Sequence, residues 1–260
     1  MSRRKIILPI ILFVVIIGLW EGVVRLVGVP EFLFPAPSRV VQFYFQFGYT
    51  LMGDTAATLM ETLLGFVVAA VLGVLFAILL VYSALIYDIF YPPLVVLQVT
   101  PKIAIAPLLL LWFGYGLMPK VVIGFFISFF PIVVTTIHGL TSVEPEMLDL
   151  LHSLRASKWK VFWKARIPHA LPYIFSGFQI AITLSLIGAI VAEFVGAELG
   201  LGFKIVYSQY SANTPMLFSA LGLLAVTGLI LFYLMMFLER LVTPWRALKK
   251  EKEFEAKGFL

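Results

Sequence analysis

Apolar residues form six runs long enough to cross a membrane. They are Ile6–Val27 (interrupted by Glu21 and Arg25), Leu63–Val81, Leu94–Phe113, Val121–Ile137, Ile174–Phe194 and Met216–Leu238. A helix needs about 20 such residues to span about 30 Å of hydrocarbon. The pattern predicts an all-α, polytopic membrane protein with six transmembrane helices in one domain over 1–260. Ser2-Arg3-Arg4-Lys5 before the first run resembles the start of a signal peptide. Leu19-Trp20-Glu21 stands where a small-residue cleavage site would lie, so the run is read as an uncleaved span.

Polar residues between the runs set the orientation. Arg3, Arg4 and Lys5 precede the first run. Arg155, Lys158, Lys160, Lys164 and Arg166 separate the fourth from the fifth, and Arg240, Arg246, Lys249, Lys250, Lys252 and Lys257 follow the sixth. These are 14 of the 19 Lys and Arg, and with six spans all three segments share one side. The positive-inside rule makes that side, and both termini, cytoplasmic. The segment 241–260 is then a cytoplasmic tail of alternating charge. The outer side holds Gly28–Thr62, with Pro35-Ala36-Pro37-Ser38 and an amphipathic stretch, then Gly114–Lys120 and Gly196–Pro215.

Composition agrees. The chain is 62% hydrophobic and 13% charged, against roughly 45–50% and about 25% for soluble domains. This excludes a soluble enzyme, a disordered chain and a nucleic-acid-binding domain. The net charge of +5 reports topology, with anionic membrane lipid as its plainest partner. There is no Cys, and His138, His152 and His169 lack metal-ligand spacing.

The longest inner segment, Thr141–Pro172, carries chemistry of another kind. Met147, Leu150, Leu151 and Leu154 recur at i, i+3, i+4, i+7, one helical face. Ser157 is placed to cap a second short helix whose Trp159, Phe162 and Trp163 share a face, with Pro168 and Pro172 ending it. Three readings of these helices stand: resting in the membrane interface, capping the bundle, or docking a cytoplasmic partner. Within the spans, Gly65, Ala69, Gly73 and Ala77 form a small-residue packing stripe. Pro92, Pro93, Pro101 and Pro107 predict a broken third span that places Gln98 and Lys102 beside a cavity. Ser176, Gln179 and Thr183 share one face of the fifth span, as interhelical hydrogen bonds or a wet pathway. Glu193 either snorkels outward or faces protein or water. No catalytic constellation and no G-x-x-x-x-G-K-[ST] loop occurs, so the chain has no Walker site for ATP.

Asp149-Leu-Leu-His-Ser153-Leu-Arg-Ala156-Ser157-Lys-Trp159, then Phe162 and Ile167-Pro168-His-Ala170-Leu-Pro172, resembles the EAA loop of ABC importer permeases. Pro35-Ala-Pro-Ser38, Thr62-Leu-Leu-Gly65-Phe66, Pro101 to Pro107 with Trp112-Phe-Gly114, and Ala192-Glu193 to Gly200-Leu-Gly202 resemble the nitrate, sulfonate and taurine branch. Pro101-Lys102, and Ile174-Phe-Ser-Gly177 running into Ile187-Gly-Ala, are closer to the branch for thiamine pyrimidine precursors and riboflavin. Two positions depart from the loop: Asp149-Leu150-Leu151 replaces E-A-A, and Arg155 replaces the Gly expected at a helix break.

The resemblance implies a type I importer permease fold in the inner membrane of a prokaryote. It implies a pair of such chains, two ATP-binding subunits that bind the ATP and Mg, and an external solute-binding protein. The chain itself needs no cofactor on this reading. The segment 141–168 would be the coupling element, carried by Met147, Asp149, Leu150, Leu151, Leu154, Arg155, Ala156, Trp159, Phe162 and Pro168. Gln98, Lys102, Ser176, Gln179, Thr183 and Glu193 would line the pathway. An ion-gradient-driven transporter or channel, and a membrane-embedded lipid enzyme, are the competing readings.

Overall fold

The structure is a computed structural model that describes residues 4–245; residues 246–260 of the expected tail lie outside the described residues. Ten α-helices are described: α1 Arg4–Val27, α2 Pro37–Tyr82, α3 Ala84–Val99, α4 Ala106–Phe113, α5 Leu117–Thr141, α6 Pro145–Ser153, α7 Lys158–Val161, α8 Ile167–Gly196, α9 Leu201–Tyr210 and α10 Thr214–Val242. Five of the continuous helices are long and apolar enough to cross a membrane, and α3 with α4 forms a bent sixth.

The first run is a helix in spite of its charges, because the charges are used. Glu21 accepts from Arg25 Nε at 2.6 Å, from Ser38 Oγ at 2.7 Å and from the Ser38 backbone N–H at 2.9 Å. Ser38 lies in the first turn of α2, whose Ala36 cap residue has no side-chain acceptor of its own. A carboxylate from α1 therefore caps α2, and Pro37 supplies a backbone already set for a first turn. From there α2 runs 46 residues to Tyr82. The expected outer amphipathic stretch and the second span are thus one helix, since no proline follows Pro37 to interrupt it.

The third span breaks as expected but begins earlier, at Ala84 rather than Leu94. Only one of its four prolines makes the break. Pro101 holds Thr100 extended (φ −65°, ψ 132°), and a 3-10 turn over Lys102–Ile105 leads into α4 at a bend of 83°. Pro92 and Pro93 stay inside α3, and Pro107 occupies the first turn of α4.

The inner prolines correct the sequence reading. Pro168 and Pro172 do not end the second short helix; the chain stays helical over Lys158–Gly196. A proline at 168 withholds an N–H and presses its ring on the carbonyl of Lys164. A π turn over Phe162–Arg166, closed by the Ile167 N–H to the Phe162 carbonyl, widens the helix just before it.

The core lies between α2, α5, α8 and α10, where Phe66, Ala69, Ile132, Ala181, Ile182, Leu231 and Met235 are buried together. The small-residue stripe faces this core: Gly65, Ala69, Gly73 and Ala77 are all buried. At its outer end three helices meet almost backbone to backbone. A Cβ on Gly65 or on Gly124 would lie 3.0 Å from Ser185 Oγ, which donates to the Thr62 carbonyl at 2.8 Å. Beyond its ties through Trp20 and Glu21, α1 leaves most of its apolar side chains exposed, as a helix against lipid should.

Candidate functional site

The inner surface is built by a helix break. α6 ends at Leu154, and Arg155 takes the left-handed conformation at φ 53°. The Arg155 N–H bonds the His152 carbonyl at 2.9 Å and the Ala156 N–H bonds the Leu151 carbonyl at 3.0 Å. This paired pattern is a Schellman motif, which satisfies carbonyls the helix end leaves open. The break falls at the position where Gly is expected, and Arg adopts its conformation at a steric cost. Ser157 then caps α7, its hydroxyl accepting from the Lys160 N–H at 3.3 Å.

The break leaves apolar surface outside. Met147, Leu150 and Leu154 are exposed, as are Trp159 and Trp163, while Leu151 is half-buried. Trp159, Phe162 and Trp163 pack their rings together, with Trp159 and Trp163 at 5.5 Å between centroids. Asp149 is exposed on α6, and Ala156 and Pro168 are half-buried. This face does not pack into the bundle core, which removes bundle-capping as the reading for Met147, Leu150 and Leu154.

The proposed pathway residues are only partly brought together. Gln179 Nε2 donates to Glu239 Oε2 of α10 at 2.6 Å, so it joins two helices. Ser176 and Thr183 turn back to their own helix, donating to the carbonyls of Pro172 and Ile180 at 2.8 Å each. Lys102 Nζ donates to the Gln98 carbonyl at 3.0 Å, closing the end of α3 at the bend, and Gln98 itself is exposed.

Glu193 belongs elsewhere. It does not snorkel; its side chain is 1% exposed. Oε1 accepts from Thr58 Oγ1 at 2.7 Å and Oε2 from the Gly202 N–H at 2.5 Å. Asp54 Oδ1 accepts from the Gly200 N–H at 3.0 Å, and Thr58 Oγ1 from the Leu201 N–H at 2.9 Å. The first N–H groups of α9 are therefore held by side chains from α2 and α8, two of them carboxylates at the positive end of the helix. Gly200, at φ 121°, has no room for a Cβ, which would overlap the Glu193 carboxyl. This gives the Glu193 to Gly200-Leu-Gly202 pattern a physical reason.

Two amines complete the cluster. Lys120 Nζ lies 2.5 Å from Glu61 Oε1, and Lys204 Nζ lies 3.6 Å from Asp54 Oδ2. The Glu61 carboxyl also faces that of Glu193. Sequence reasoning missed Asp54, Thr58, Glu61 and Lys120. Their signal is the i, i+4, i+7 spacing of Asp54, Thr58 and Glu61, which shares a face only once 37–82 is one helix.

Comparison with known proteins accords with this architecture. Residues 69–246 match the family described as binding-protein-dependent transport system inner membrane component. A probable ABC transporter permease protein of Haemophilus influenzae is 34% identical, over 89% of this chain and 94% of its own. The formylaminopyrimidine transport permease protein ThiX of Halalkalibacterium halodurans is 33% identical, over 92% and 95%. The riboflavin transport system permease protein RibX of Chloroflexus aurantiacus is 34% identical, over 92% and 90%. Among solved structures, the inward-facing MetNI methionine ABC transporter matches at a TM-score of 0.66 and 18% identity, over 75% of this chain and 97% of that one. The fold is that of a type I ABC importer permease, and the chain belongs to the binding-protein-dependent transport system inner membrane component family, as a multi-pass permease subunit of the inner membrane.

Proposed function

We propose that two copies of this chain form the translocation pathway of an ATP-driven importer for a small organic solute. Two ATP-binding subunits dock on the segment 141–168, and an external binding protein delivers the solute. The cargo class is a vitamin or pyrimidine precursor, in keeping with the relatives named for formylaminopyrimidine and riboflavin. Aliphatic sulfonates and taurine, after which more distant relatives are named, are the second class. The chain contributes no ATPase chemistry and no cofactor of its own; the partner subunits bind ATP and Mg.

The observation that carries this reading is the exposed face of Met147, Leu150 and Leu154 beside Trp159. A short, rigidly capped helix with an uncovered apolar face is suited to pass a partner's motion into the bundle as a rigid body. Trp159 and Phe162, just past the break, and Pro168, where the π turn joins α8, link that helix to a span. Gln98 and Lys102 at the bend and the Ser176, Gln179 and Thr183 face are assigned to the pathway, while Glu193, expected there, holds the start of α9 instead. The test is co-expression with an ATP-binding subunit, followed by mass measurement and uptake in vesicles. A complex of two permease and two ATPase chains that imports riboflavin or a formylaminopyrimidine with ATP supports the reading. A chain that never retains an ATPase under gentle extraction overturns it.

A further inference from the structure

Beside the coupling helices lies a pocket that the transport reading does not use. Its volume is about 300 Å³, and its lining includes His152, Lys158 and Arg166, with Tyr82 and Phe162. Three basic side chains line it and no acidic one does. One wall, Val81 and Tyr82, is the cytoplasmic end of α2, so the pocket opens at the level of the inner membrane interface. Tyr82 is 73% exposed there, and Trp159 and Trp163 stand exposed on α7 and the π turn. Aromatic and basic residues at this depth are the usual anchors of the headgroup region.

A second cavity lies farther out along the same helix. A groove of about 370 Å³, almost wholly apolar, is lined by Leu72, Leu75, Phe76 and Leu79 of α2 with Phe125 and Phe129 of α5. Leu72, Leu75, Leu79 and Tyr82 follow one another at i, i+3, i+7, i+10, one stripe on the helix. At 1.5 Å per residue the stripe runs about 15 Å, the depth of one leaflet. A cationic pocket at the interface, joined through Tyr82 to an apolar stripe one leaflet deep, matches one ligand: a phospholipid with an anionic head.

We infer that these two cavities form a site for one anionic phospholipid of the cytoplasmic leaflet. The phosphate sits among His152, Lys158 and Arg166, and an acyl chain lies along Leu72, Leu75 and Leu79. Basic pockets between spans on the cytoplasmic side take such headgroups. The placement has a mechanical consequence. His152 precedes the break at Arg155, whereas Lys158 and Arg166 follow it. A bound phosphate ties α6 to the helix that continues into α8, across the break at Arg155. The inference extends the coupling role proposed above. Its binding measurement does not depend on that role.

The experiment uses the full chain with whatever subunits copurify, stripped of lipid in detergent and supplied with one defined lipid. Native mass spectrometry compares dioleoylphosphatidylglycerol with dioleoylphosphatidylcholine, with inorganic phosphate as a separate arm. We expect phosphatidylglycerol to be retained and phosphatidylcholine not. Lys158→Gln with Arg166→Gln should weaken retention about thirtyfold, at about five- to sixfold per charge compounded over two. Leu75→Trp, which fills the groove and leaves the basic residues in place, should weaken retention of the long-chain lipid and spare a short-chain phosphatidylglycerol. Equal retention of both lipids, or unchanged retention in the double variant, overturns the site. Phosphate binding as tight as the lipid's makes it a plain anion site and overturns the lipid assignment. If the double variant sheds ATPase subunits, the pocket belongs to that interface; if Leu75→Trp separates the two permease copies, the groove belongs to theirs. Either result overturns it too.

Discussion

Lys120 Nζ lies 2.5 Å from Glu61 Oε1, and both side chains are less than a tenth exposed. The pair joins α5 to α2 at the outer end of the bundle, within the cluster that also holds Glu193. Removing one partner of a buried pair leaves the other charge without compensation, at a cost of about 3–5 kcal/mol. Lys120→Met should therefore lower the thermal stability of the purified protein by that order. Lys120→Met with Glu61→Leu should recover most of the loss, because a buried pair and its apolar replacement differ little. Thermal unfolding in detergent of both variants checks this; equal destabilisation by the single and the double would show that the pair itself contributes little.

The α9 cap gives a second prediction. Gly202→Ala puts a methyl group 2.7 Å from Glu193 Oε2, and Gly200→Ala adds the strain of a left-handed backbone to a similar clash. Glu193→Gln keeps the shape and loses the charge facing the helix N-terminus, worth about 1–2 kcal/mol in a partly buried setting. The expected order of stability is wild type, then Glu193→Gln, then Gly202→Ala, then Gly200→Ala. Limited proteolysis of the segment 196–215 reads it directly, and a Gly200→Ala protein as resistant as wild type would remove the cap from the account.

Arg155 supplies the third. At φ 53° a side chain with a Cβ carries a cost of about 1–2 kcal/mol that glycine does not. Arg155→Gly should be neutral or stabilising by up to about 1 kcal/mol, since the added freedom of the unfolded chain offsets part of the gain. Arg155→Val, with a branched Cβ, should destabilise. Uptake should follow the same order. If Arg155→Gly lowers uptake while stability holds, the guanidinium has a role of its own at the docking surface.

Much of this was legible in the sequence, and the exceptions share a cause. Ser157 marks a helix start by local chemistry, and the cap stands where it predicts. The break at Arg155 was not legible that way, because Arg lacks the freedom at positive φ that a glycine there would announce. Pro168 and Pro172 misled because a proline reports only a missing N–H and a steric conflict. The chain widens into a π turn there instead of stopping, and it carries Ala165 and Ala170 into burial in the bundle. Asp54 and Glu61 were hidden for a related reason. Their charges lowered the hydropathy of 37–62 and made it read as an outer segment. The compensating partners, Lys120, Lys204 and the α9 amides, come from distant parts of the chain. Glu193 was visible as a charge at a span end, but its burial is set by Thr58 and Gly202 across the fold.

The polar face of α8 can be tested with cysteine, since the chain has none of its own. If Ser176, Gln179 and Thr183 line a wet route, cysteines there should react with water-soluble thiol reagents in at least one nucleotide state. Cysteine at Ile180, which is 50% exposed on the neighbouring face, is the control for lipid. It should react with membrane-permeant reagents and little with charged ones. Uniformly negligible reaction along the face would leave Gln179 as a tie to Glu239 and nothing more.

The coupling surface is best tested at Leu150. Leu151 also belongs to the predicted apolar face, but it is half-buried, so a charge there disturbs α6 packing as well as any docking. Leu150 is 60% exposed and packs little against its own chain. A carboxylate at 150 therefore costs the isolated subunit little and acts on whatever covers that face. Against an ATPase groove it should act at the scale of a binding hot spot, at least about 2 kcal/mol, or roughly thirtyfold in subunit affinity. Leu150→Asp should lower ATP-driven uptake and loosen the ATPase subunits, while thermal stability of the permease stays within about 0.5 kcal/mol of wild type. Leu150→Met, which keeps the apolar contact, should restore both. A membrane-interface role predicts a different pattern: weaker insertion or stability with ATPase retention intact. Uptake, ATPase copurification and stability measured on the same three proteins thus separate a docking helix from one that only rests on lipid.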